Sequence, residues 1–199
     1  MSRTTAGVLL AAGRSRRFGR DKRLLPFRGS TLVGTVAAAL AAATAPRLVV
    51  LGPGDDAIAA SLAALGFRAV VNPEPETGLG GSLALAARAL AADAAAIDGV
   101  VVALADQPLA DAALFSALVA AGRGGSGWAA CDYGDGARGV PARLPVAALA
   151  RLEQLTGDRG ARVLLEEHRA KVAWLPFPGG AFDVDTEADY ARMPAPPSG

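Results

Sequence analysis

Apolar residues along this chain fall into two rhythms. Short runs of strand length recur at Gly7 to Ala11, Leu48 to Leu51, Arg68 to Val71, Val100 to Leu104, Trp128 to Cys131 and Val172 to Leu175. Several lack the polar alternation of a strand with one wet face, so they are predicted as strands buried on both faces. Between them, Leu32 to Ala43, Asp56 to Leu65, Ser82 to Ala91 and Ala112 to Ala121 have helical length. Strand and helix thus alternate through the first two thirds, as in a parallel sheet covered by its connecting helices. After Gly122 the order loosens. Trp128 to Tyr133 and Ala137 to Arg143 predict an irregular hairpin, followed by helical patterns at Val146 to Leu155 and Ala161 to His168. Thr186 and Asp189 have capping-box spacing for a last helix. The expected fold is α/β, with a mostly parallel sheet and an antiparallel addition in the C-terminal third.

Composition adds bounds. With 199 residues and 52% hydrophobic content, one well-filled core and one domain are expected. We assign residues 1–193 to that domain, with a nucleotide-binding part at about 1–122 and an acceptor-side part at about 123–193, and 194–199 to a disordered tail. The 20 basic and 19 acidic residues nearly cancel, so no global field favours nucleic acid or an anionic membrane, and anion binding must be local. A single cysteine, Cys131, and a single histidine, His168, leave neither a disulfide nor a zinc site of several Cys and His ligands. Cys131 reads as a small buried hydrophobe and His168 as a surface or packing residue. A reducing cytoplasm suits this usage, and the apolar run from Val8 to Ala12 is too short to span a membrane.

The candidate chemistry begins where the first strand ends. LAAGRSRRFGRDK runs from Leu10 to Lys22, and it is neither a Walker A loop nor a GxGxxG fingerprint. Its glycines let backbone amides approach phosphate oxygens, and Arg17 and Lys22 supply cations where a polyphosphate would lie. Lys22 and Lys171 are the only lysines among the 20 basic residues, which suggests that a compact ammonium is required at Lys22. In an open parallel sheet, ligands bind beyond the carboxyl ends of the strands, where Gly13, Asn72 and Asp106 all fall. Asp106, in LADQP, suits either a turn cap or a magnesium ligand. In FDVDTEADY, Thr186 can cap the last helix, leaving Asp185 available for a cation, with Asp183 in reserve.

The ordered set LAAGRSRRFGRDKRLLPFRGSTL, NPEPETGLGGSL, LADQP, GVPARLP, LTGDRGAR and FDVDTEADY resembles the MobA-like nucleotidyltransferases, particularly the molybdenum cofactor cytidylyltransferases, from Val8 to Tyr190. The resemblance implies a three-layer Rossmann-like nucleotidyltransferase fold and Mg²⁺-dependent transfer of CMP from CTP to the terminal phosphate of molybdopterin, releasing pyrophosphate. It implies Arg17, Lys22, Asp106 and Asp185 as catalytic residues, the last two as metal ligands. The nucleotide would touch Leu10, Ala11, Ala12, Gly13, Ser15, Arg17, Lys22, Asn72, Gly80, Gly81, Ser82 and Asp106. CTP is expected because guanylyl-transferring relatives tend to carry LAGG, and the Cβ of Ala12 would crowd a purine. Arg138, Arg143, Arg159 and Arg162 are candidates for gripping the pterin phosphate, and a molybdenum hydroxylase or its maturation factor is a further expected partner. The alternatives are guanylyl transfer to the same cofactor, transfer to another acceptor such as a sugar phosphate, and a nucleotide-binding regulator without catalysis.

Overall fold

The computed structural model describes residues 3–13, 21–134, 136–182, 184 and 186–193. The expected tail, 194–199, lies outside this range. In chain order the elements are β1 (Thr4–Leu10), β2 (Pro26–Phe27), β3 (Ser30–Thr31), α1 (Leu32–Ala41), β4 (Arg47–Leu51), α2 (Asp56–Ala63), β5 (Phe67–Val71), α3 (Leu79–Leu90), β6 (Ile97–Leu104) and α4 (Ala112–Arg123). They continue with β7 (Ala129–Gly134), β8 (Ala137–Pro145), α5 (Leu149–Leu152), α6 (Arg162–Glu167), β9 (Ala173–Pro176) and α7 (Glu187–Ala191).

One sheet has the strand order β5-β4-β1-β6-β8-β7-β9. Its first four strands are parallel. β8 then runs antiparallel to both β6 and β7, and β9 is parallel to β7. This is the expected Rossmann-like α/β fold with its antiparallel addition. Successive strand residues face opposite sides, which sorts the core into two layers. Leu9, Val49 and Val101 belong to the layer holding Val36 of α1 and Phe115 of α4, while Val8, Val50 and Val102 belong to the layer holding Leu83 of α3 and Leu164 of α6. Both faces are covered, so the central strands carry no polar alternation.

Helix ends follow local chemistry. Thr31 caps α1 by accepting from Gly34 N at 3.1 Å, and Asp111 caps α4 by accepting from Leu114 N at 2.8 Å. The predicted capping box at Thr186 and Asp189 forms at α7. α3 starts at Leu79 rather than Ser82. Glycine is a weak helix former, so the apolar pattern misses this turn, yet packing demands glycine: a Cβ at Gly80 would lie 2.6 Å from the Thr156 backbone. The predicted helix from Val146 shortens to a single 3-10 turn, Val146–Ala148, followed by α5.

The chain builds outward from β1 to β4 and β5, then returns across β1 to β6. The crevice beyond the carboxyl ends of β1 and β6 is therefore the topological switch point. Ladder bonds continue past the strands there: Ala11 N donates to Val50 O at 2.9 Å, Asn72 N to Leu51 O at 2.8 Å, and Ala105 N to Leu10 O at 3.1 Å. Gly13, Asn72 and Asp106 leave from this one rim.

Arg143, expected at the acceptor, is instead a structural group. It is 2% exposed. Gly99 of β6 and Gly122 of α4 leave the slot it fills, for a Cβ at Gly99 would lie 2.8 Å from its guanidinium carbon. Its Nη2 pairs with Asp98 at 3.0 Å and its Nη1 donates to Gly127 O at 2.6 Å. Burial lowers the Arg143 pKa, and Asp98 offsets this only in part. Burial also pushes the Asp98 carboxyl up, but the Thr5 and Arg123 hydrogen bonds and the Arg143 charge outweigh it and hold the group below its ordinary value.

Arg143→Met should lower the unfolding free energy by about 2–3 kcal/mol, read from urea midpoints, because Asp98 loses a buried partner. Since the folded-state pKa of Asp98 lies below its unfolded value, its contribution is complete above about pH 4 and is lost as pH falls through the folded value. Asp98→Asn should flatten that acid-side slope.

Candidate active site

A buried arginine ties the turn after Asp21 to the exit from β1 and to the start of α2. Asp21 starts a single 3-10 turn, Lys22–Leu24, by accepting from Arg23 N at 3.0 Å. Arg23 is only 7% exposed. Asp21 accepts from its Nε at 2.8 Å and from its Nη2 at 2.6 Å. Asp55, at the start of α2, takes both terminal nitrogens at 2.6 Å each, and Arg23 Nη1 also donates to Ala11 O. Asp55 further accepts from Gly52 N at 2.8 Å, which leaves α2 without a side-chain cap. Burial alone would disfavour the Arg23 charge, but the two carboxylates overcome it and raise its pKa. Burial likewise pushes the Asp21 carboxyl up, and the Arg23 hydrogen bonds and charge bring it below its ordinary value.

Lys22, the next residue back, meets Asp106 across the crevice. Its Nζ lies 3.2 Å from Asp106 Oδ2, with the two side chains 13% and 33% exposed. The Asp106 carbonyl accepts from Val184 N at 3.4 Å, which ties Val184 to the LADQP turn. The predicted site residues Ser15, Arg17 and Asp185, and Asp183 in reserve, lie outside the described residues. Leu10, Ala11, Ala12, Gly13, Lys22 and Asp106 all border one cleft of about 400 Å³, a volume suited to a small ligand. Gly13 is exposed, and among the described residues no atom lies within 4 Å of the position of a Cβ there.

The facing wall comes from the start of α3. Gly78, Leu79 and Ser82 border the cleft. Asn72, Gly80 and Gly81, expected against the nucleotide, do not. The Gly80 amide is taken by Gly157 O at 2.7 Å. Asn72, 3% exposed, donates to Ser82 Oγ at 3.1 Å and accepts from Glu74 N at 3.0 Å, so it braces the strand end against α3.

A second cavity of about 470 Å³ shares Leu10, Leu79, Leu104 and Asp158 with the cleft. Arg138, Arg159 and Arg162 border it. Arg138 pairs with Asp132 at 2.9 Å and lies 4.6 Å over the Trp174 ring, while Arg159 and Arg162 both pair with Glu166. Exposed pairs of this kind are worth about 1 kcal/mol or less, so these guanidinium groups can exchange a carboxylate for a phosphate. His168 stacks on Trp128 with ring centroids 4.2 Å apart, and burial pushes the Cys131 thiol up to about 12.

Several lining residues escape sequence reasoning. Arg23 is hidden in a run of basic residues that looks uniformly solvated. Leu79 is a large apolar side chain left 38% exposed between the two cavities. Gln107 is buried, donates to Gly180 O at 3.1 Å, and has an Oε1 without a partner among the described residues. Asp158 sits between two residues of a motif read for its arginines.

For a divalent cation the donor set is suitable. Among the described residues no three of His, Cys, Asp and Glu converge. Asp106 offers one hard carboxylate on the rim of a cleft open to substrate, and Mg²⁺ commonly takes one or two carboxylates with water and phosphate completing its shell. Asp106 fits that role. Among the described residues no helix is long and apolar enough to cross a membrane.

The MobA-like NTP transferase domain matches residues 7–172. The nicotine blue oxidoreductase of Paenarthrobacter nicotinovorans is 36% identical over 169 residues, covering 81% of each chain. A protein of Opitutus terrae named "Probable molybdenum cofactor guanylyltransferase" is 34% identical over 177 residues, covering 86% of this chain and 84% of that one. The structure of Rv0371c from Mycobacterium tuberculosis in complex with manganese superposes with a TM-score of 0.74 at 30% identity, covering 95% of this chain and 97% of that one. The cytidylyltransferase assignment is overturned: the protein of Opitutus terrae and a second relative from Xanthomonas euvesicatoria, 35% identical over 121 residues, are both named as molybdenum cofactor guanylyltransferases. The premise behind that assignment is also weak in the structure. Ala12 is 4% exposed and belongs to the apolar cluster of Leu10 and Leu83, so its methyl is mainly core and only marginally a wall against a purine.

Arg23→Lys should lower stability by roughly 2 kcal/mol, because an ammonium cannot span Asp21, Asp55 and Ala11 together. Chemical denaturation measures this, and nucleotide affinity should fall with it because Lys22 adjoins the clamp.

Proposed function

The chain belongs to the MobA-like NTP transferase family, and from that premise we propose that it transfers GMP from GTP to the terminal phosphate of molybdopterin, releasing pyrophosphate. The observation that carries this reading is the Lys22 ammonium 3.2 Å from the Asp106 carboxylate, in a cleft that shares a wall with a second cavity. One space suits a nucleoside triphosphate and the other its acceptor. The guanylyltransferase name of a relative covering most of the chain supports the donor and the acceptor alike.

In this mechanism the acceptor phosphate is already anionic at neutral pH and needs no side-chain base. It attacks the α-phosphate in line, its oxygen forms the new P–O bond, and the bond to the β-phosphate breaks with its electron pair leaving on pyrophosphate. Negative charge then gathers on the α-phosphate oxygens and the leaving group. Lys22 lies where it can stabilise that charge, and the exposed Gly13, which has no Cβ, is proposed to let phosphate oxygens approach its backbone. Asp106 would hold Mg²⁺, with Asp185 the proposed second ligand from its place in the sequence; the bound ion supplies further charge neutralisation. Arg138, Arg159 and Arg162 are proposed to receive the acceptor's anionic end.

The test is pyrophosphate release from GTP with molybdopterin and Mg²⁺. Lys22→Ala should lower kcat by about 10²-fold, the scale of losing one such charge-stabilising donor. Asp106→Asn should raise the Mg²⁺ concentration needed for half-maximal rate, and chelation of divalent metal should stop the reaction. Full activity in folded Lys22→Ala protein would remove Lys22 from the mechanism.

A further inference from the structure

The wall common to the cleft and the second cavity carries one carboxylate, Asp158. Asp106 and Asp158 are the only acidic residues bordering the cleft among the described residues. Asp106 is engaged by Lys22, whereas no hydrogen bond or ion pair reaches the Asp158 side chain among the described residues. Its arginine neighbours do not quench it either, since Arg159 and Arg162 turn to Glu166.

Its placement is built rather than incidental. The Gly80 amide holds Gly157 O at 2.7 Å, and Gly157 has a φ of +71°, a left-handed turn that suits glycine. The missing Cβ at Gly80 lets the Thr156 backbone lie against α3, and a Cβ at Gly78 would fall on the Asp158 carboxylate itself. The glycines of GLGG thus make room for the loop, and the loop sets a carboxylate over Gly78 beside Leu79 and Ser82.

Asp158 is exposed at this wall, and a carboxylate there repels phosphate and accepts N–H donors. Guanine presents two adjacent donors, N1–H and the N2 amine, which match the two oxygens of one carboxylate. Adenine and cytosine each present an amine beside a ring-nitrogen lone pair, which a carboxylate repels. We infer that Asp158 selects the nucleobase by accepting the N1–H and N2–H donors of guanine. The inference rests on the GTP reading above and names the side chain that enforces it.

The experiment compares wild type, Asp158→Ala and the near-isosteric Asp158→Asn. It measures the affinity of each for GTP, ITP, ATP and CTP in the presence of Mg²⁺ by competition against a fluorescent N-methylanthraniloyl-GTP, with thermal unfolding checked in parallel. Wild type should bind GTP at least about 10-fold more tightly than ITP, which lacks the N2 amine. Asp158→Ala should weaken GTP by about 10- to 100-fold, weaken ITP less, and leave ATP and CTP within about threefold, with the unfolding temperature unchanged. Equal loss for all four nucleotides, or unchanged GTP affinity in a folded variant, would overturn the inference while leaving the GTP reading intact. Tighter binding of CTP than of GTP by the wild type would instead sink the donor assignment and this inference with it.

Discussion

A guanidinium in a nearly dry pocket, that of Arg23, is the constraint on which the active-site region depends. It satisfies two carboxylates and a backbone carbonyl at once: Asp21 on its own turn, Asp55 at the start of α2, and Ala11 in the exit from β1. Removing charge from water is costly, so such a group is tolerated only when its donors are met, and meeting them here joins three chain segments. Lys22 is the next residue in the chain. Its ammonium reaches Asp106 because Arg23 has already determined where the turn sits.

The sheet supplies the other half of the arrangement. β1 and β6 are neighbours although a long stretch of chain separates them, and the reversal of strand order between them opens the crevice. The antiparallel strands that follow, together with the loop before α6, raise a second cavity on the far side of a shared wall. A group-transfer enzyme needs two anionic substrates side by side without merging their sites. Leu10, Leu79, Leu104 and Asp158 form the partition. The arginines buried among the described residues mark opposite uses of one side chain: Arg23 joins its own turn to the ligand rim, and Arg143 fastens the antiparallel strands to β6.

What the chain discloses before folding follows from how locally each feature is encoded. The central strands stand out because helices cover both sheet faces, and the capping box at Thr186 and Asp189 depends on a short spacing. Asp106 is legible because it closely follows β6, and Lys22 because it closes a glycine- and cation-bearing sequence after β1. Arg23 is not, since nothing in the run DKR distinguishes a buried guanidinium from a solvated one. Arg143 misleads for the same reason, as the glycines that admit it, Gly99 and Gly122, lie on other elements. Gly80 was expected to serve a ligand with its amide, but a loop distant in sequence claims that amide. The choice of base could not rest on Ala12 alone, because a side chain's chemistry at a site depends on how much of it faces the site.

The most direct test of the account is a crystal structure with guanosine α,β-methylene triphosphate and Mn²⁺, with the metal located by its anomalous signal. The account predicts a triphosphate lying between Gly13 and Lys22, and manganese about 2.1 Å from an Asp106 carboxylate oxygen, at the distance of a hard divalent ion. A nucleotide bound outside the β1–β6 crevice, or a metal remote from Asp106, would contradict it.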